Sequence, residues 1–451
     1  MIARTQIHKS LEGGAALMAI AAPNTSTTVT APATGQSYGA PLATVTTLFF
    51  MWGFLTCLND ILVPHLKSIF DLGYAEVMLI QFAFFGAYFI FSIPSAKIID
   101  WLGYQRSMVV GLITMGLGAF LFVPAASVPS FPLFLGALIV LAAGITCLQV
   151  AANPYVTVLG KPETASSRLN LTQAFNSLGT FLAPFFGGLL ILSAAPKTLT
   201  EIRAMAPDVL QAYRLHEAAT VKTPYVGLGI ALVVLAVAIG SFKLPTIEHA
   251  QHKVGEKVND SIWNHPNLIF GAIAIFVYVG GEVSIGSFLV NYFGQPEIGG
   301  LTEKVAASFV AFYWGGAMVG RFIGSALLQK VSTRGLLGIC AVCAAALVAI
   351  SMLTSGHFAM YSIILVGFFN SIMFPSIFTL GVAELGPLTG DGSGVMIMAI
   401  VGGAIIPVAQ GAIADRIGIH HAFFLPVLCY LYILFFALSG SRPNSQRYVK
   451  A

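Results

Sequence analysis

Charged side chains are scarce in this chain. Lysine, arginine, aspartate and glutamate make up 9% of its 451 residues, whereas hydrophobic residues make up 57%. Soluble domains carry about 25% charged residues, so this scarcity excludes an ordinary soluble protein. The net charge is only +4 and forms no basic stripe, which argues against a nucleic-acid partner. The composition predicts a polytopic membrane protein surrounded by a lipid bilayer.

Cysteines and catalytic motifs are also scarce. All five cysteines fall in apolar segments, and the CxxC pair of Cys340 and Cys343 has no histidine or further cysteine in its segment. Such cysteines behave as small hydrophobic residues, so neither a disulfide framework nor a metal site is predicted. The sequence lacks a phosphate-binding loop, a dinucleotide fingerprint, an HExxH motif and a nucleophile elbow. It also lacks the repeated pore loops of channels. We expect neither an enzyme nor a cofactor.

Long apolar runs make up most of the chain. A helix needs about 20 apolar residues to cross the hydrocarbon core. The predicted spans are 45–69, 75–98, 106–127, 131–156, 167–193, 224–244, 268–293, 305–329, 335–354, 358–382, 393–414 and 420–439. They predict an all-α membrane protein with twelve transmembrane helices, arranged as two six-helix halves.

Polar segments divide these spans into domains. We predict a disordered tail at 1–44, an N-terminal six-helix bundle at 45–244, a linker at 245–266, a C-terminal six-helix bundle at 267–440 and a C-terminal tail at 441–451. The short apolar run near the start leaves a signal-like segment open as an alternative. With the N-terminus inside, the inner segments carry twice as many lysines and arginines as the outer loops. Both termini are therefore predicted to be cytoplasmic.

Matching residues recur in the two halves at a nearly constant offset. A Gly-Pro-Gly pattern starts at Gly179 in span 5 and recurs, with the same spacing, from Gly402 in span 11. Pro154 of span 4 and Pro375 of span 10 are separated by almost the same length of chain. These offsets predict a duplicated unit and hence pseudo-symmetric halves. Parallel repeats with a site at the midplane are typical of transporters.

Two acidic residues, Asp60 and Glu282, lie in the middle of spans 1 and 7, and their separation along the chain matches that of the other repeated pairs. At a rise of about 1.5 Å per residue, each lies near the bilayer midplane. A carboxylate at that depth is costly unless it faces a cavity or a partner, so both are candidates for binding the coupled cation. Asp60 is the main candidate, with an ion pair to Arg321 as the structural alternative. Glu282 is a second proton site, a sodium ligand or an acceptor for sugar hydroxyls.

Amides and aromatic rings inside the spans are candidates for substrate binding. An amide both donates and accepts hydrogen bonds, which suits a ring of hydroxyl groups, and an aromatic ring stacks on the apolar face of a pyranose. The alternative for each of them is packing between helices. The candidates are Gln149, Gln173, Asn176, Asn370, Trp52, Tyr278 and Phe374.

Other polar residues in the spans have predicted gating or structural roles. Arg321 lies in span 8, nearer its cytoplasmic end, and a charge there requires an acidic partner such as Asp100 or Glu384. Asn153 precedes the kink-forming Pro154, which favours a structural role for that amide.

Six stretches carry a family pattern across both halves. They are FFMWGFLTCLNDILVPHLK, CLQVAANPYVTVLG, SRLNLTQAFNSLGTFLAPFFGG, YVGGEVSIGSFLVNYF, FFNSIMFPSIFTLGV and QGAIADRIGIHHAF. Together they resemble the major facilitator superfamily and, more closely, its fucose permease and glucose/galactose transporter family. The loop AKIIDWLGYQR resembles the superfamily's motif between spans 2 and 3, and it retains Asp100, Gly103 and Arg106.

The resemblance implies the major facilitator fold and a monomeric symporter in a bacterial inner membrane. Its expected substrate is a hexose, imported by alternating access with a proton or a sodium ion. Asp60 matches an important acid in span 1 of fucose permease, whereas Gln149 stands where that branch has its second acid. Gln149, Glu282 and the stretch FNSIMFP are similar to the glucose/galactose branch.

The substrate and the ion stay open at this point. Importers of N-acetylglucosamine, fucose, mannose and fructose belong to the same wider family. The stretch GTFLAPFFGG resembles a motif of antiporters, so a drug/proton antiporter is a further alternative. A sensor that does not transport is disfavoured because both midplane acids are present.

Overall fold

The computed structural model describes residues 38–70, 74–128, 130–190, 204–247 and 260–443. Within these ranges it describes the backbone only for residues 58–69, 74–78, 184–190 and 303. No β-strand is present in the described part of the chain.

Six helices are present in the described residues of the N-terminal half. They are α1 (Gly39–Phe70), α2 (Tyr74–Ser127), α3 (Phe131–Val158), α4 (Ala165–Leu190), α5 (Pro207–Thr220) and α6 (Lys222–Ser241). A short 3-10 turn, Pro162–Thr164, precedes α4. Helix α5 lies in the long loop between spans 5 and 6.

Between residues 260 and 443, the C-terminal half contains nine α-helical segments, because several of its spans are broken. They are α7 (Pro266–Gly294), α8 (Glu303–Leu327), α9 (Thr333–Leu353), α10 (Gly356–Asn370), α11 (Met373–Gly381), α12 (Thr389–Met398), α13 (Gly402–Ile417), α14 (Ile419–Ala422) and α15 (Phe424–Phe435). The 3-10 turns are Ile262–Asn264, Gly386–Leu388 and Ala399–Val401, and the π-helical turn Phe436–Gly440 extends α15.

The predicted number of twelve transmembrane helices is confirmed. Ten stretches of the described chain are long and apolar enough to cross a membrane. One of them, Leu79–Ser127, contains two predicted spans, because α2 bends at Gly103 with φ 78° and ψ 169°. Such a positive φ is readily adopted only by glycine. Helix α4 supplies the remaining span.

Three predicted boundaries differ from the structure. Helix α1 includes residues 39–44, which the sequence analysis assigns to the disordered tail; Pro41 lies in its first turn, where proline costs no hydrogen bond. Span 10 is divided between α10 and α11, just before Pro375. Span 11 is divided by the turn Ala399–Val401, just before a pair of glycines. The predicted tail up to residue 37 lies outside the described residues.

Close packing of glycine relates the two halves. A Cβ atom at Gly179 of α4 would collide with the main-chain oxygen of Phe50 in α1. A Cβ atom at Gly402 of α13 would collide with the main-chain oxygen of Phe276 in α7. The repeated glycines therefore let equivalent helix pairs approach to backbone contact. This contact explains the spacing that the sequence repeats.

Several helix pairs join the two halves. Helix α4 packs against α8 and α11, and helices α2 and α3 pack against α12. Helix α2 also contacts α13 and the turn Ala399–Val401 of the other half. The contacts within each half are led by α2 with α3, α1 with α4, α7 with α13, and α8 with α10. Span 1 therefore lies against span 5, and span 7 lies against span 11.

A capped turn precedes α7, which carries Glu282. The carboxylate of Asp260 accepts hydrogen bonds from Asn264 Nδ2 (3.1 Å) and from the Ser261 N–H (2.7 Å), and it lies 2.7 Å from His265 Nε2. The bonds from Asn264 and His265 hold the pKa of the Asp260 carboxyl below its usual range. The turn leads to Pro266 at the first position of α7, where its fixed φ suits a helix.

Candidate functional site

Glu282 lies in the middle of α7 and is almost completely buried, with 9% of its surface exposed. The hydroxyl of Tyr278, one helical turn earlier, donates a hydrogen bond of 2.8 Å to Glu282 Oε1. Residues four apart share a helix face, so α7 itself brings this donor to the carboxylate. Arg321, on the neighbouring helix α8, carries the opposite charge. The carboxylate of Glu282 is thus a hydrogen-bond acceptor whose orientation is fixed by the Tyr278 hydroxyl.

A closed set of polar contacts surrounds Glu282. The Tyr278 hydroxyl also contacts the main-chain oxygen of Asn370 at 3.1 Å. Asn370 is fully buried, and its Nδ2 donates to the hydroxyl of Tyr313 at 2.9 Å. The Tyr313 hydroxyl in turn contacts the main-chain oxygen of Glu282 at 3.4 Å. Helices α7, α8 and α10 therefore hold the position of Glu282 together.

Two amides of the N-terminal half form a second polar group. Gln149 of α3 has 7% of its surface exposed, and its Nε2 donates to the hydroxyl of Tyr88 at 2.8 Å. Gln173 of α4 has 6% exposed, and its Nε2 lies 3.5 Å from Oδ1 of the fully buried Asn153. The contact between Gln173 and Asn153 joins α3 to α4. Each glutamine has both donors and acceptors to offer to hydroxyl groups.

Asn176 and Trp52 lie in the packing between α1 and α4. Asn176 Nδ2 donates to the main-chain oxygen of Phe49 at 2.9 Å, which uses one of its two amide hydrogens. Trp52 has 3% of its surface exposed, and its ring centroid is 4.0 Å from that of Phe49. Phe374 of α11 is also buried, with its ring stacked 6.2 Å from Phe378. The binding roles of these three residues stay predictions.

The side chain of Asp60 lies outside the described residues. Its backbone belongs to α1, as predicted. The predicted role of Asp60 in cation coupling, and its alternative as a partner of Arg321, therefore stay predictions.

Arg321 binds across the boundary between the halves. Its guanidinium donates hydrogen bonds to the hydroxyl of Ser177 and to the main-chain oxygen of Gln173 (3.3 Å), both on α4 of the other half. It also donates to the main-chain oxygen of Ser371 at 3.3 Å. Asn170 of α4 returns a bond of 2.7 Å from its Nδ2 to the main-chain oxygen of Arg321.

Polar contacts between the halves cluster at one end of the bundle, which we call the closed end. Its residues are Lys97, Ser166, Ser167, Ser325, Thr333, Thr379 and Asp391. Lys97 Nζ lies 2.7 Å from Asp391 Oδ1. The Ser166 and Thr379 hydroxyls are 2.6 Å apart, and Ser167 Oγ donates to the main-chain oxygen of Ser325 at 2.6 Å.

The remaining residues with predicted gating or structural roles lie near this end. Asp100 pairs with Lys97 at 3.1 Å and is therefore next to the contact between the halves. Arg106 lies on the exposed surface beyond the bend of α2. Pro154 lies within α3, which continues through it without a break.

Several contacts of this site cannot be predicted from the sequence. Tyr88, Tyr313 and Ser177 are ordinary residues in an apolar chain, and only their hydrogen bonds distinguish them. The role of Ser371 does have a sequence signal. Pro375 lacks an N–H, so the carbonyl four residues earlier has no helical donor and must find another.

Known proteins resemble the chain over most of its length. The model of the Major Facilitator Superfamily matches residues 42–400. The glucose/galactose transporter of Brucella abortus is 52% identical over 94% of this chain and all of its own length. The L-fucose-proton symporter of Escherichia coli is 37% identical over 89% of this chain and 93% of its own.

Solved structures agree with these sequence matches. A crystal structure of the E. coli fucose:proton symporter, in a form with one residue substituted, has a TM-score of 0.81 and 34% identity, and it matches 90% of this chain and all of its own. A fucose symporter structure in the outward conformation has a TM-score of 0.82 with the same identity and coverage. On the fold, the family model and these relatives, the chain belongs to the major facilitator superfamily.

Proposed function

We propose that this protein imports a hexose by symport with a cation, through alternating access. Glucose and galactose are the first candidate sugars and the proton is the first candidate ion. The observation that carries the proposal is the buried carboxylate of Glu282 in the middle of α7, which accepts a hydrogen bond from the Tyr278 hydroxyl. The Brucella relative's name as a glucose/galactose transporter supports the choice of sugar. The E. coli relative's name as a proton symporter supports the choice of ion.

The polar groups of the two halves suit a sugar held between them. Gln149 and Gln173 of one half, and Glu282 of the other, offer amide donors and carboxylate acceptors with little exposure. A sugar hydroxyl both donates and accepts, so it can satisfy either kind of group. Sites of this class lie between the repeats, near the bilayer midplane.

In the proposed cycle, the halves rock about the bound sugar. The closed end is the cytoplasmic end, as the distribution of lysine and arginine indicates, and both termini are cytoplasmic. The structure then corresponds to a state that is open to the outside. A cation at Asp60 or Glu282 and a sugar between the halves favour the rocked state, and both ligands leave to the cytoplasm. The ligands must bind the two states differently for the gradient to do work.

The chain acts as a monomer in a bacterial inner membrane, because each chain encloses its own transport path. The two six-helix bundles, 45–244 and 267–440, are the moving bodies, and the linker 245–266 joins them. No chemical step is needed, so the protein is not an enzyme.

Uptake into proteoliposomes tests the proposal. Labelled glucose, galactose, N-acetylglucosamine, fucose, mannose and fructose are offered under an imposed proton gradient and then a sodium gradient. A potential of about 100 mV is worth about 2.3 kcal/mol per charge moved, which supports roughly fiftyfold accumulation for one proton per sugar. Accumulation of glucose or galactose under the proton gradient is the expected result.

Matched variants distinguish a specific role of the Asp60 and Glu282 carboxylates from a general effect of removing a negative charge. Asp60→Asn and Glu282→Gln are expected to lose accumulation, whereas Asp208→Asn and Glu297→Gln, which change exposed acids, retain it. No accumulation of any sugar under either gradient would refute the proposal and direct attention to efflux substrates.

A further inference from the structure

Proline releases one carbonyl oxygen in each half, at equivalent positions. Pro154 in α3 has no N–H for the carbonyl of Val150, four residues earlier. The hydroxyl of Ser393, on α12 of the other half, donates to this Val150 oxygen at 2.8 Å. The released carbonyl of the N-terminal half is thus bound across the boundary between the halves.

The equivalent proline of the C-terminal half is Pro375, which releases the carbonyl of Ser371. Ser371 corresponds to Val150 in the repeat, because each lies the same number of positions before its proline. Here the chain breaks between α10 and α11, and Arg321 Nε donates to the Ser371 oxygen at 3.3 Å. A charged side chain therefore takes the place that a neutral hydroxyl takes in the other half.

The same guanidinium that holds Ser371 also holds the other half. It donates to the Ser177 hydroxyl and to the main-chain oxygen of Gln173 on α4. Arg321 therefore fixes both the break in span 10 and the contact between α4 and α8. If the halves separate at the closed end, these two bonds to α4 must break.

Glu282 is connected to the same break from its other side. The Tyr278 hydroxyl bridges Glu282 Oε1 and the main-chain oxygen of Asn370, which immediately precedes Ser371. Two consecutive carbonyls at the break are thus bound, that of Asn370 by the Tyr278 hydroxyl and that of Ser371 by Arg321. Arg321 and Glu282 carry opposite charges on α8 and α7, which pack against each other.

We propose that Arg321 is a positioning residue through which the charge on Glu282 controls the contact between the halves. This inference rests on the proposed function and names the part of the chain that couples the cation to the movement. While Glu282 is ionised, it stabilises the Arg321 cation in the low-dielectric position where that cation binds α4. A proton on Glu282 removes this stabilisation and leaves the cation in the closed end without its counter-charge.

The direction of the effect suits import. When the closed end has opened to the cytoplasm, water reaches Arg321. The attraction between Arg321 and Glu282 is then screened and contributes less to stability. Ionised Glu282 therefore favours the closed end, and protonated Glu282 favours its opening to the cytoplasm. A proton that binds Glu282 from outside thereby promotes the movement that releases the sugar inside.

Among the residues that the structure describes, the titratable groups near Glu282 come from three helices. Tyr278 lies on its own helix, Tyr313 and Arg321 lie on α8, and Tyr430 lies on α15. Three of these four are tyrosines, which stay neutral in the physiological pH range. Arg321 is therefore the permanent charge that responds to a proton on Glu282.

Pulsed electron paramagnetic resonance tests the proposal on the full chain in nanodiscs without sugar. Spin labels are attached at Glu163→Cys and Gln329→Cys, which are exposed at the closed end of the two halves. The native cysteines are replaced, and Asp60→Asn is the parent so that Asp60 does not titrate. The distance distribution is recorded from alkaline to acidic pH.

The parent is expected to gain the longer, open distance on acidification. Glu282→Gln is expected to show the acid distribution at every pH. Arg321→Gln is expected to lower the ratio of closed to open states by roughly tenfold to a hundredfold, the range for one hydrogen bond to a charged group, and to lose the response to pH. Arg321→Lys keeps the charge without the planar fork, so a reduced response is expected.

Ser393→Ala is the matched control, because it removes the equivalent bond to a released carbonyl without a charge. It is expected to lower the ratio of closed to open states about threefold at all pH values, and this ratio is expected to change with pH as much as in the parent. The proposal is overturned if the distances in Arg321→Gln change with pH as fully as those in Ser393→Ala. It is also overturned if the distances in Glu282→Gln change with pH like those of the parent, or if those of the parent do not change with pH. If Arg321→Gln is not monodisperse, Arg321→Lys replaces it in the test, and a response to pH as large as that of the parent then overturns the proposal.

This measurement is independent of the proposed function. It requires no sugar, so a chain that accumulates no sugar but shows the predicted distances contradicts the transport proposal only. A chain that accumulates sugar, but whose distances are unaffected by Arg321→Gln, contradicts the coupling proposal only.

Discussion

The hydrogen bond between Tyr278 and Glu282 allows a quantitative test of the site. Tyr278→Phe removes one oxygen atom and leaves the buried ring in place. It deletes the 2.8 Å bond to Glu282 Oε1 and the 3.1 Å contact with the Asn370 main-chain oxygen. Under the proposed function, the carboxylate then loses the donor that orients it toward the sugar.

The size of the effect follows from the charge of the acceptor. Hydrogen bonds between neutral groups in membrane proteins are worth about 0.6 kcal/mol, whereas bonds to charged groups are worth about 1.5–3 kcal/mol. We take about 1.5 kcal/mol for the Tyr278 bond, which corresponds to roughly tenfold weaker sugar binding. In Glu282→Gln the charged acceptor is already absent, so adding Tyr278→Phe is expected to weaken binding little further.

Equilibrium binding of labelled sugar to the four purified proteins measures this cycle. The expected coupling between the two substitutions is about 1.5 kcal/mol. Tyr313→Phe is the control, because its hydroxyl contacts the main-chain oxygen of Glu282 and not the carboxylate. It is expected to be additive with Glu282→Gln. Additivity of Tyr278→Phe within about 0.5 kcal/mol would refute the assigned role of the bond.

Three further predictions concern other parts of the chain. Asp60→Asn is expected to abolish accumulation in proteoliposomes but to leave sugar exchange, and full proton-driven uptake by this variant would contradict the coupling role. Gly402→Val is expected to lower stability by about 1–3 kcal/mol, measured by thermal unfolding in detergent, because a side chain there meets the Phe276 main-chain oxygen. Lys97→Asp is expected to weaken the closed end by up to about 1 kcal/mol, seen as a larger open population in spin-label distances. Adding Asp391→Lys is expected to restore the closed population, and no restoration would mean that the pair does not hold the halves together.

The helices and their repeat were predictable because a bilayer imposes simple requirements. Every span must be apolar for about 20 residues and must satisfy its own backbone. Gly179 and Gly402 were visible as a repeated pattern because backbone contact between helices tolerates no larger side chain. The start of α1 was misplaced because Gly, Pro and Thr around residue 41 have the composition of a tail, whereas in a first helical turn they cost little.

The candidate site was predictable only in part. Polar residues in apolar spans are conspicuous, so Glu282, Gln149 and Gln173 could be selected from their residue type alone. Their partners could not be selected, because Tyr88 and Tyr313 belong to residue types that are common throughout the spans. A hydrogen bond such as that from Gln149 to Tyr88 depends on how α2 and α3 are rotated about their axes, and apolar periodicity does not define that rotation.

The two released carbonyls explain how a duplicated scaffold can carry an asymmetric function. The repeat provides each half with a proline at the same place, and hence with one free acceptor near the boundary. Ser393 binds the released carbonyl of the N-terminal half and Arg321 binds that of the C-terminal half. Under the coupling proposal, only the second contact changes when a nearby carboxylate gains a proton. In the described part of the chain, that carboxylate is Glu282, joined to the same break through Tyr278. Under the coupling proposal, two equivalent prolines thus lead to contacts of different charge, and Arg321 is the residue whose substitution separates coupling from folding.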